Sequence, residues 1–209
     1  MTEPAPSARK VAAWDFDETI TERDTLVPFL TYLAGKRRLA TALARHAPIG
    51  AQGLRSTAQR DAFKERVLGT VLGGRDRADV EAAGIAYART LPRGFRRSSL
   101  ERIAHHRTSG HDLVIVSASL VYYLRPVATD LGFHHVIAVD MEVGADGRLT
   151  GALVGPNVRK AEKASRLGAW LGDEPYELWA YGDSSGDVEL LAMAHHPTWV
   201  GRRATANER

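Results

Sequence analysis

The chain has 209 residues, of which 44% are hydrophobic and 25% charged, as in ordinary globular proteins with room for one core and an insertion. It contains no cysteine, which excludes disulfides and thiolate metal sites. The net charge of +3 is unevenly spread: residues 22–97 carry 15 Lys and Arg against 7 Asp and Glu, and the remainder carries 13 against 18. A basic segment within an acidic remainder indicates two parts, one meeting an anion and the other holding a cation.

The N-terminal residues 1–10 are rich in Pro, Ala and Ser and have no apolar stretch of the kind found in secretory signals. No segment approaches the roughly 18 to 20 apolar residues that cross a bilayer. We therefore expect a soluble, cytoplasmic protein without a transmembrane segment. Peripheral contact with anionic lipid stays open, and the sequence does not predict the oligomeric state.

The apolar run of residues 11–14 predicts a buried strand, and it ends in two carboxylates, Asp15 and Asp17. Side chains alternate along a strand, so this spacing directs both acids the same way at the strand's C-terminal end. Ligands bind at that end in open α/β sheets. Because two like charges together are costly without a cation or a reaction partner, the pair indicates a metal-assisted site more than packing.

The basic segment that follows shows helical periodicity and no strand pattern, with glycines and prolines between the periodic stretches. The predicted helices span residues 25–33, 36–46, 60–72 and 77–90. Short connections and limited apolar content predict a helical lid over residues 22–97 that docks on the main body.

Strand and helix patterns alternate in the rest of the chain. Predicted strands cover residues 111–117, 136–139, 177–181 and 198–200; predicted helices cover residues 98–110, 120–131, 160–171 and 188–194. Residues 141–154 resemble a hairpin that turns at Asp146-Gly147. The alternation predicts an α/β fold with a doubly wound parallel sheet and right-handed crossovers. We assign residues 9–21 and 98–209 to this core domain and residues 22–97 to the inserted helices.

Polar side chains follow three predicted strands, and a lysine pair opens the helix at residue 160. In a parallel sheet these groups converge on one edge. Carboxylates favour Mg²⁺, whereas a hydroxyl, an ammonium and backbone N–H groups suit a phosphoryl group. The set predicts phosphoryl transfer, in which one Asp attacks phosphorus and its neighbour acts as acid and then as base. Its members are Asp15, Asp17, Ser117, Lys160, Lys163, Asp183 and Asp187.

Four segments in this order resemble the motifs of the haloacid dehalogenase (HAD) superfamily of phosphatases: DFDET, Ser117 after LVIVS, Glu162-Lys163, and GDSSGD. The helical insertion after the first motif resembles that family's C1-type cap. The combination is similar to subfamily IB, which contains the phosphoserine phosphatases. The resemblance spans residues 11–200 and implies a HAD-like sheet with an inserted helical cap.

The resemblance also implies roles for individual residues. Asp15 corresponds to the nucleophile that becomes phosphorylated, and Asp17 to the acid that protonates the leaving alkoxide and later activates water. Ser117 and the N–H of Ala118 would hold phosphate oxygens. Lys163 would screen the Asp15 carboxylate from the incoming phosphate and stabilise the transition state.

For the metal, the resemblance implies Mg²⁺ at a set formed by Asp15, Asp17, Asp183 and Asp187. Asp17 would contribute its backbone carbonyl, Asp183 would bind directly, and Asp187 would order metal-bound water or the lysine. Lys160 precedes Lys163 by three residues and could reach the same edge. Glu162-Lys163 fits the subgroup pattern better.

Several substrates remain open. A small phosphate monoester such as phosphoserine is one, although phosphoserine phosphatases usually carry Asn where this chain has Gly186. The basic cap suggests a second, a larger anionic phosphate such as the phospholipid headgroup phosphatidylglycerophosphate. A different class is a non-catalytic, receiver-like phosphate acceptor; receivers lack both a cap and an acid two residues after the acceptor. Nucleic acid is not expected, because the cap lacks interleaved aromatic residues.

Other polar residues allow two interpretations each. Asp24 lies where phosphoserine phosphatases place an acid for the substrate amine, and it equally suits a helix N-cap. Lys64 and Arg66 could contact a substrate anion, and a solvated helix face is favoured for both. Three histidine pairs are interpreted as structural, because adjacent histidines on a helix diverge and no carboxylate spacing supports a metal. These pairs are residues 105–106, 134–135 and 195–196.

Overall fold

The computed structural model describes residues 8–53 and 56–201. Residues 1–7, which belong to the N-terminal segment considered above, lie outside the described residues. So do residues 202–209, the last part of the assigned core domain. The described residues contain seven strands: β1 (Arg9–Trp14), β2 (Asp112–Leu120), β3 (His135–Val139), β4 (Met141–Val143), β5 (Leu149–Leu153), β6 (Tyr176–Gly182) and β7 (His196–Trp199). The same residues contain seven α-helical elements: α1 (Leu26–Gly53), α2 (Thr57–Leu72), α3 (Arg77–Ala88), α4 (Arg97–Thr108), α5 (Val121–Leu131), α6 (Ala161–Leu171) and α7 (Val188–Ala192).

Five strands form one parallel sheet in the order β3-β2-β1-β6-β7, which confirms the predicted α/β class. The chain builds outward from β1 to β3 on one side and then crosses to β6 and β7 on the other. The order therefore reverses between β1 and β6, and a crevice at the C-terminal ends of these strands is where such sheets bind ligands.

The central strand β1 is buried on both faces, and this explains its continuous apolar run. Val11 pairs with Asp112 of β2 on one side and with Leu178 of β6 on the other. Trp14 is fully buried, and its ring stacks on Tyr181 with centroids 3.7 Å apart. The strand that carries the first carboxylates is consequently anchored on both sides.

Strand β2 extends further than predicted. The pattern ended it at Ser117, but the strand continues to Leu120, and its pairing with β3 shifts register between Val116 and Leu120. Ser117 and Ser119 are buried in the strand, and their hydroxyl groups are hydrogen-bonded. Ser117 Oγ accepts from the Ser119 N–H at 3.1 Å, and Ser119 Oγ donates to the carboxylate of Asp17. The predicted end of this strand was therefore wrong by three residues.

The four predicted helical stretches of the insertion correspond to four helical segments. Residues 25–33 and 36–46, predicted as separate helices, lie in α1 on either side of a kink at Gly35, whose φ of 79° and ψ of 155° are not helical. Gly35 therefore separates two helices, because it adopts a positive φ that other residues avoid. A 3-10 turn, Leu91–Gly94, leads from α3 back towards the sheet.

The inserted helices contact the rest of the protein at two close approaches. On α3, a Cβ at Gly84 would overlap the carbonyl group of Tyr122 in α5. On α2, a Cβ at Gly69 would lie 2.6 Å from the carbonyl oxygen of Gly151 in β5. Glycine is needed where two backbones approach so closely. The predicted β4–β5 hairpin is confirmed as antiparallel. It packs against α2 where Gly151 approaches Gly69.

None of the helices within residues 8–53 and 56–201 combines the length and apolar character that crossing a bilayer requires.

Candidate active site

A cavity of about 420 Å³ opens at the C-terminal ends of the central strands. Residues predicted from the sequence line it together: Asp15, Asp17, Ser117, Ala118, Lys163 and Asp183. Asp187 lies directly behind this wall and is fully buried. The inserted helices close the opposite side, where α2 contributes three charged side chains.

A buried ammonium joins two carboxylates at the base of the cavity. Lys163 Nζ lies 2.5 Å from Asp15 Oδ1 and 2.5 Å from Asp187 Oδ1, and the three side chains are 4%, 9% and 0% exposed. Burial lowers the pKa of Lys163, but attraction by the two carboxylates outweighs burial and raises it. Burial raises the pKa of Asp15 well above its usual range; Lys163 opposes this rise, and the charges of Asp187 and Asp17 add to it.

The loop after β6 is organised by Asp187. Its Oδ2 accepts hydrogen bonds from the N–H of Asp183 at 3.3 Å and from the N–H and Oγ of Ser184, both at 3.0 Å. Asp183 Oδ1 accepts a hydrogen bond from Thr19 Oγ1 at 3.2 Å. Burial, together with the charge of Asp187, raises the pKa of Asp183 to about 6. Asp183 therefore keeps an oxygen available at the cavity, while both oxygens of Asp187 are engaged.

Three carboxylates suit a divalent cation. Asp15, Asp183 and Asp187 each offer an oxygen within 4.8 Å of the others, and a single ammonium balances only part of their charge. Hard carboxylate oxygens are the ligands that Mg²⁺ prefers, and a cation here would relieve the repulsion that raises two of the pKa values. The residues present therefore fit a magnesium ion.

The carboxylate of Asp17 does not belong to this group. Its Oδ1 accepts hydrogen bonds from the N–H of Thr25 at 2.7 Å and from Thr25 Oγ1 at 2.6 Å, and its Oδ2 accepts one from Ser119 Oγ. As a metal ligand, Asp17 retains only its backbone carbonyl, the atom that the family resemblance assigned. Burial raises the pKa of Asp17 despite these hydrogen bonds, which favours its use as an acid.

Hydrogen bonds connect Asp17 to the inserted helices. Thr25 Oγ1 lies 3.0 Å from the hydroxyl oxygen of Tyr123 in α5, and the Tyr87 hydroxyl in α3 donates to the Thr25 carbonyl at 3.1 Å. Thr25 was predicted only as the start of a helix. Its role in holding an acid eight residues earlier depends on the turn that follows β1, for which the sequence shows no periodicity.

Lys64 corrects the prediction of a solvated side chain. Its Nζ donates to the carbonyl of Ala118 and, at 2.8 Å, to Asn157 Oδ1. Burial lowers its pKa to about 8, although the carboxylates of Asp17 and Asp61 oppose this. Arg66 is exposed, as expected for a solvated helix face. Lys64 and Arg66 thus differ in exposure because residue 64 faces the cavity and residue 66 faces solvent.

The lysine that contacts Asp15 is Lys163. Lys160 precedes α6 with φ of 52° and ψ of −128°, and its N–H donates to the Gly186 carbonyl at 2.9 Å. Asp24 fits both interpretations: its Oδ1 accepts from the Val27 N–H at 3.1 Å, and the residue lines the cavity.

The histidines have the structural contacts that were expected. His106 is buried. Its Nδ1 atom lies 2.8 Å from Nδ1 of His111, and its Nε2 atom lies 2.7 Å from the hydroxyl oxygen of Tyr181. The Nδ1 atoms of His134 and His195 accept backbone N–H groups of β2 and β6. These bonds fix the ends of strands far from the cavity.

Fold and site together define a phosphatase with a HAD-like core. The chain belongs to the haloacid dehalogenase-like hydrolase family, whose pattern matches residues 12–192. It is 32% identical to Protein CicA of Caulobacter vibrioides (strain NA1000 / CB15N) over 191 residues, 88% of this chain and 82% of that protein. It is 30% identical to a histidinol-phosphatase of Neisseria meningitidis serogroup C (strain 8013) over 104 residues, 47% of each chain.

Solved structures support the same fold. The structure of a probable phosphoserine phosphatase from Vibrio cholerae, without ligand, matches with a TM-score of 0.65 and 19% identity, covering 89% of this chain and 54% of that one. At this identity the likeness concerns the fold alone. The family match and the phosphatase-named relative confirm the resemblance drawn from the four sequence motifs at the level of family and enzyme class.

Proposed function

We propose that the protein hydrolyses a phosphate monoester in a Mg²⁺-dependent reaction through an aspartyl-phosphate on Asp15. One observation carries the proposal: the Lys163 ammonium lies between Asp15 and Asp187, and the Asp183 carboxylate adjoins them at the open edge of the sheet. Three acids around one buried cation are costly to stability and typical of a catalytic site.

The chemistry follows from the side chains on the cavity wall. A carboxylate oxygen of Asp15 attacks phosphorus while Asp17 gives its proton to the departing alkoxide. Asp17 then takes a proton from water, which attacks the phosphorus of the aspartyl-phosphate; inorganic phosphate leaves and Asp15 is regenerated. Ser117 and the Ala118 N–H hold phosphoryl oxygens, and Lys163 balances the charge that accumulates on them.

A magnesium ion would be held by Asp15, Asp183 and the backbone carbonyl of Asp17. When bound, it would neutralise phosphoryl oxygens and so favour attack by an anionic carboxylate. Asp187 would not bind the metal directly. It would orient Lys163 and fix the loop that carries Asp183.

We propose that residues 22–97 form the C1-type cap and that residues 9–21 and 98–209 form the core domain. The cap would exclude water while the phosphoenzyme forms. This arrangement, with Asp17 held at the cavity, supports a hydrolase over a receiver-like acceptor, because a receiver keeps its phosphoryl group. The cytoplasmic location stays a prediction.

A small phosphate monoester fits the cavity of about 420 Å³. The similarity to a histidinol-phosphatase and to phosphoserine phosphatases supports a phosphorylated metabolite with an amine or a carboxylate. Gly186 supports a substrate other than phosphoserine, because this chain lacks the polar Asn side chain that phosphoserine phosphatases usually carry at this position. A phospholipid headgroup remains the alternative, tested by including phosphatidylglycerophosphate vesicles among the substrates.

The test compares Asp15→Asn and Asp17→Asn with the native protein on a panel of phosphate monoesters, with Mg²⁺ or with EDTA. Turnover should require Mg²⁺ and vanish in Asp15→Asn; Asp17→Asn should slow both formation and hydrolysis of the phosphoenzyme. Asp173→Asn, the same change at an exposed position, serves as control. Undiminished turnover in Asp15→Asn would require another nucleophile, and stable retention of the phosphoryl group by the native protein would favour the receiver-like acceptor.

A further inference from the structure

One side of α2 clamps a core residue beside the cavity. Asn157 is buried in the segment before α6, and both ends of its amide meet α2. Its Oδ1 accepts from Lys64 Nζ at 2.8 Å, and its Nδ2 donates to Asp61 Oδ1 at 2.7 Å. Asp61 and Lys64 are three residues apart and therefore share a helix face. The same ammonium donates to the carbonyl of Ala118 on β2.

The peptide group between Ala118 and Ser119 is thereby held at both ends. Its carbonyl accepts from Lys64, and its N–H donates to Ser117 Oγ at 3.1 Å. A serine hydroxyl that accepts on one lone pair still has its own proton to donate. Because Ser117 lines the cavity and its oxygen already faces the Ser119 N–H, the bond restricts the directions in which the hydroxyl can donate. An ammonium on the carbonyl also polarises the peptide and strengthens that N–H bond.

We propose that Lys64 is a positioning residue, which couples docking of α2 to the orientation of the Ser117 hydroxyl towards phosphate. The inference rests on the proposed function, because it concerns the same phosphate site. When α2 leaves the core, the Ala118 carbonyl loses its cationic donor and the peptide is free to rotate. Tight phosphate binding then requires the closed cap, in which α2 is docked. Lys64 acts through the Ala118–Ser119 peptide and Ser117, without contacting the reacting atoms itself.

The half-buried position of Lys64, with its ammonium donating to two core groups, supports a role beyond holding the inserted helices. An aliphatic side chain could join α2 to the core without desolvating a charge, and desolvation is what lowers the pKa of Lys64. The lysine further has three donors, and the structure uses two of them, on Ala118 and Asn157. Charges kept at such a cost are concentrated at functional sites.

The experiment measures binding of inorganic phosphate by calorimetry in the presence of Mg²⁺, so that its readout does not depend on turnover. Lys64→Met should bind phosphate about tenfold more weakly than the native protein, because it loses a charged hydrogen bond that orders the site. Lys64→Arg, which keeps a cationic donor, should stay within about threefold. Arg66→Met, the matched control on the exposed face of the same helix, should bind like the native protein.

A double-mutant cycle separates positioning from a merely structural role. If Lys64 acts through the Ser117 hydroxyl, Lys64→Met should weaken binding less than about twofold in a Ser117→Ala background. Equal losses in the two backgrounds, or native affinity in Lys64→Met, would overturn the inference alone. Absence of phosphate binding by the native protein would overturn the proposed function and the inference with it. Thermal unfolding checks each variant, and Lys64→Gln replaces Lys64→Met if the latter does not fold.

Discussion

Replacing Asp183 by asparagine should stabilise the metal-free protein. The structure raises the pKa of this carboxyl from its ordinary 3.8 to about 6, since burial and the charge of Asp187 oppose ionisation. Two pKa units correspond to about 3 kcal/mol, and partial exposure of the side chain reduces this to about 1–2 kcal/mol. Asparagine carries no charge, and its oxygen can still accept from Thr19, so Asp183→Asn removes the cost and keeps the hydrogen bond.

The effect has a defined pH dependence. A carboxyl whose pKa is raised on folding favours the folded state below its unfolded pKa, and that benefit is lost as the pH rises through the folded value. The stability gained by Asp183→Asn should therefore be small near pH 4, grow up to about pH 7 and stay constant above it. Urea unfolding in EDTA at several pH values measures it, with the exposed Asp173→Asn as control.

Magnesium should cancel the stability that Asp183→Asn gains over the native protein. At a concentration of 100 times its dissociation constant, a ligand of the folded state adds about 2.7 kcal/mol of stability. The native protein should gain this with Mg²⁺, whereas Asp183→Asn, which lacks one carboxylate ligand, should gain much less. A variant less stable than the native protein in EDTA at pH 8, or a difference that does not change with pH, would refute the reasoning.

Three further substitutions test separate features. Lys163→Met removes the buried cation between Asp15 and Asp187 and should cost about 3–5 kcal/mol in EDTA, more at pH 8 than at pH 5, because the pKa of Asp15 is raised and its protonation relieves the repulsion; an equal loss at both pH values would contradict this. Lys160 has φ of 52°, so Lys160→Gly should be about 1 kcal/mol more stable to urea than Lys160→Ala, and equal stability would argue against backbone strain. Gly84→Ala should lower the melting temperature, because its methyl group would overlap the Tyr122 carbonyl; an unchanged value would show that α3 does not pack so closely.

The sequence predicted the sheet well, because central parallel strands have continuous apolar runs and short polar ends. Asp15 and Asp183 could be assigned to one edge of the sheet from the sequence alone, since both directly follow such runs. The end of β2 could not be predicted. Serine is found both within strands and after them. The hydroxyl of Ser119 donates to Asp17, which lies 102 residues away in the chain, so the local sequence does not mark where the strand ends.

The inserted helices were predicted as helices, but their contacts with the site were not. Helical periodicity shows which face of α2 is apolar; Lys64 adjoins that face, where a long side chain either reaches solvent or turns inward. The choice depends on Asn157 and the Ala118 carbonyl, which arrive from segments 93 and 54 residues away. No local pattern encodes such pairings, so the sequence did not predict the contacts that link the inserted helices to the rest of the protein.

The site combines elements that each oppose folding. Desolvation raises the pKa values of Asp15, Asp17 and Asp183 and lowers that of Lys64. Each cost decreases when an opposite charge is supplied: a cation for the acids, an anion for the lysine. In the proposed function, a phosphate ester with its magnesium ion would supply both at once. Closure of the inserted helices over such a substrate would then be favoured by the same charges that destabilise the unliganded protein, and binding energy and docking of these helices would be coupled through them.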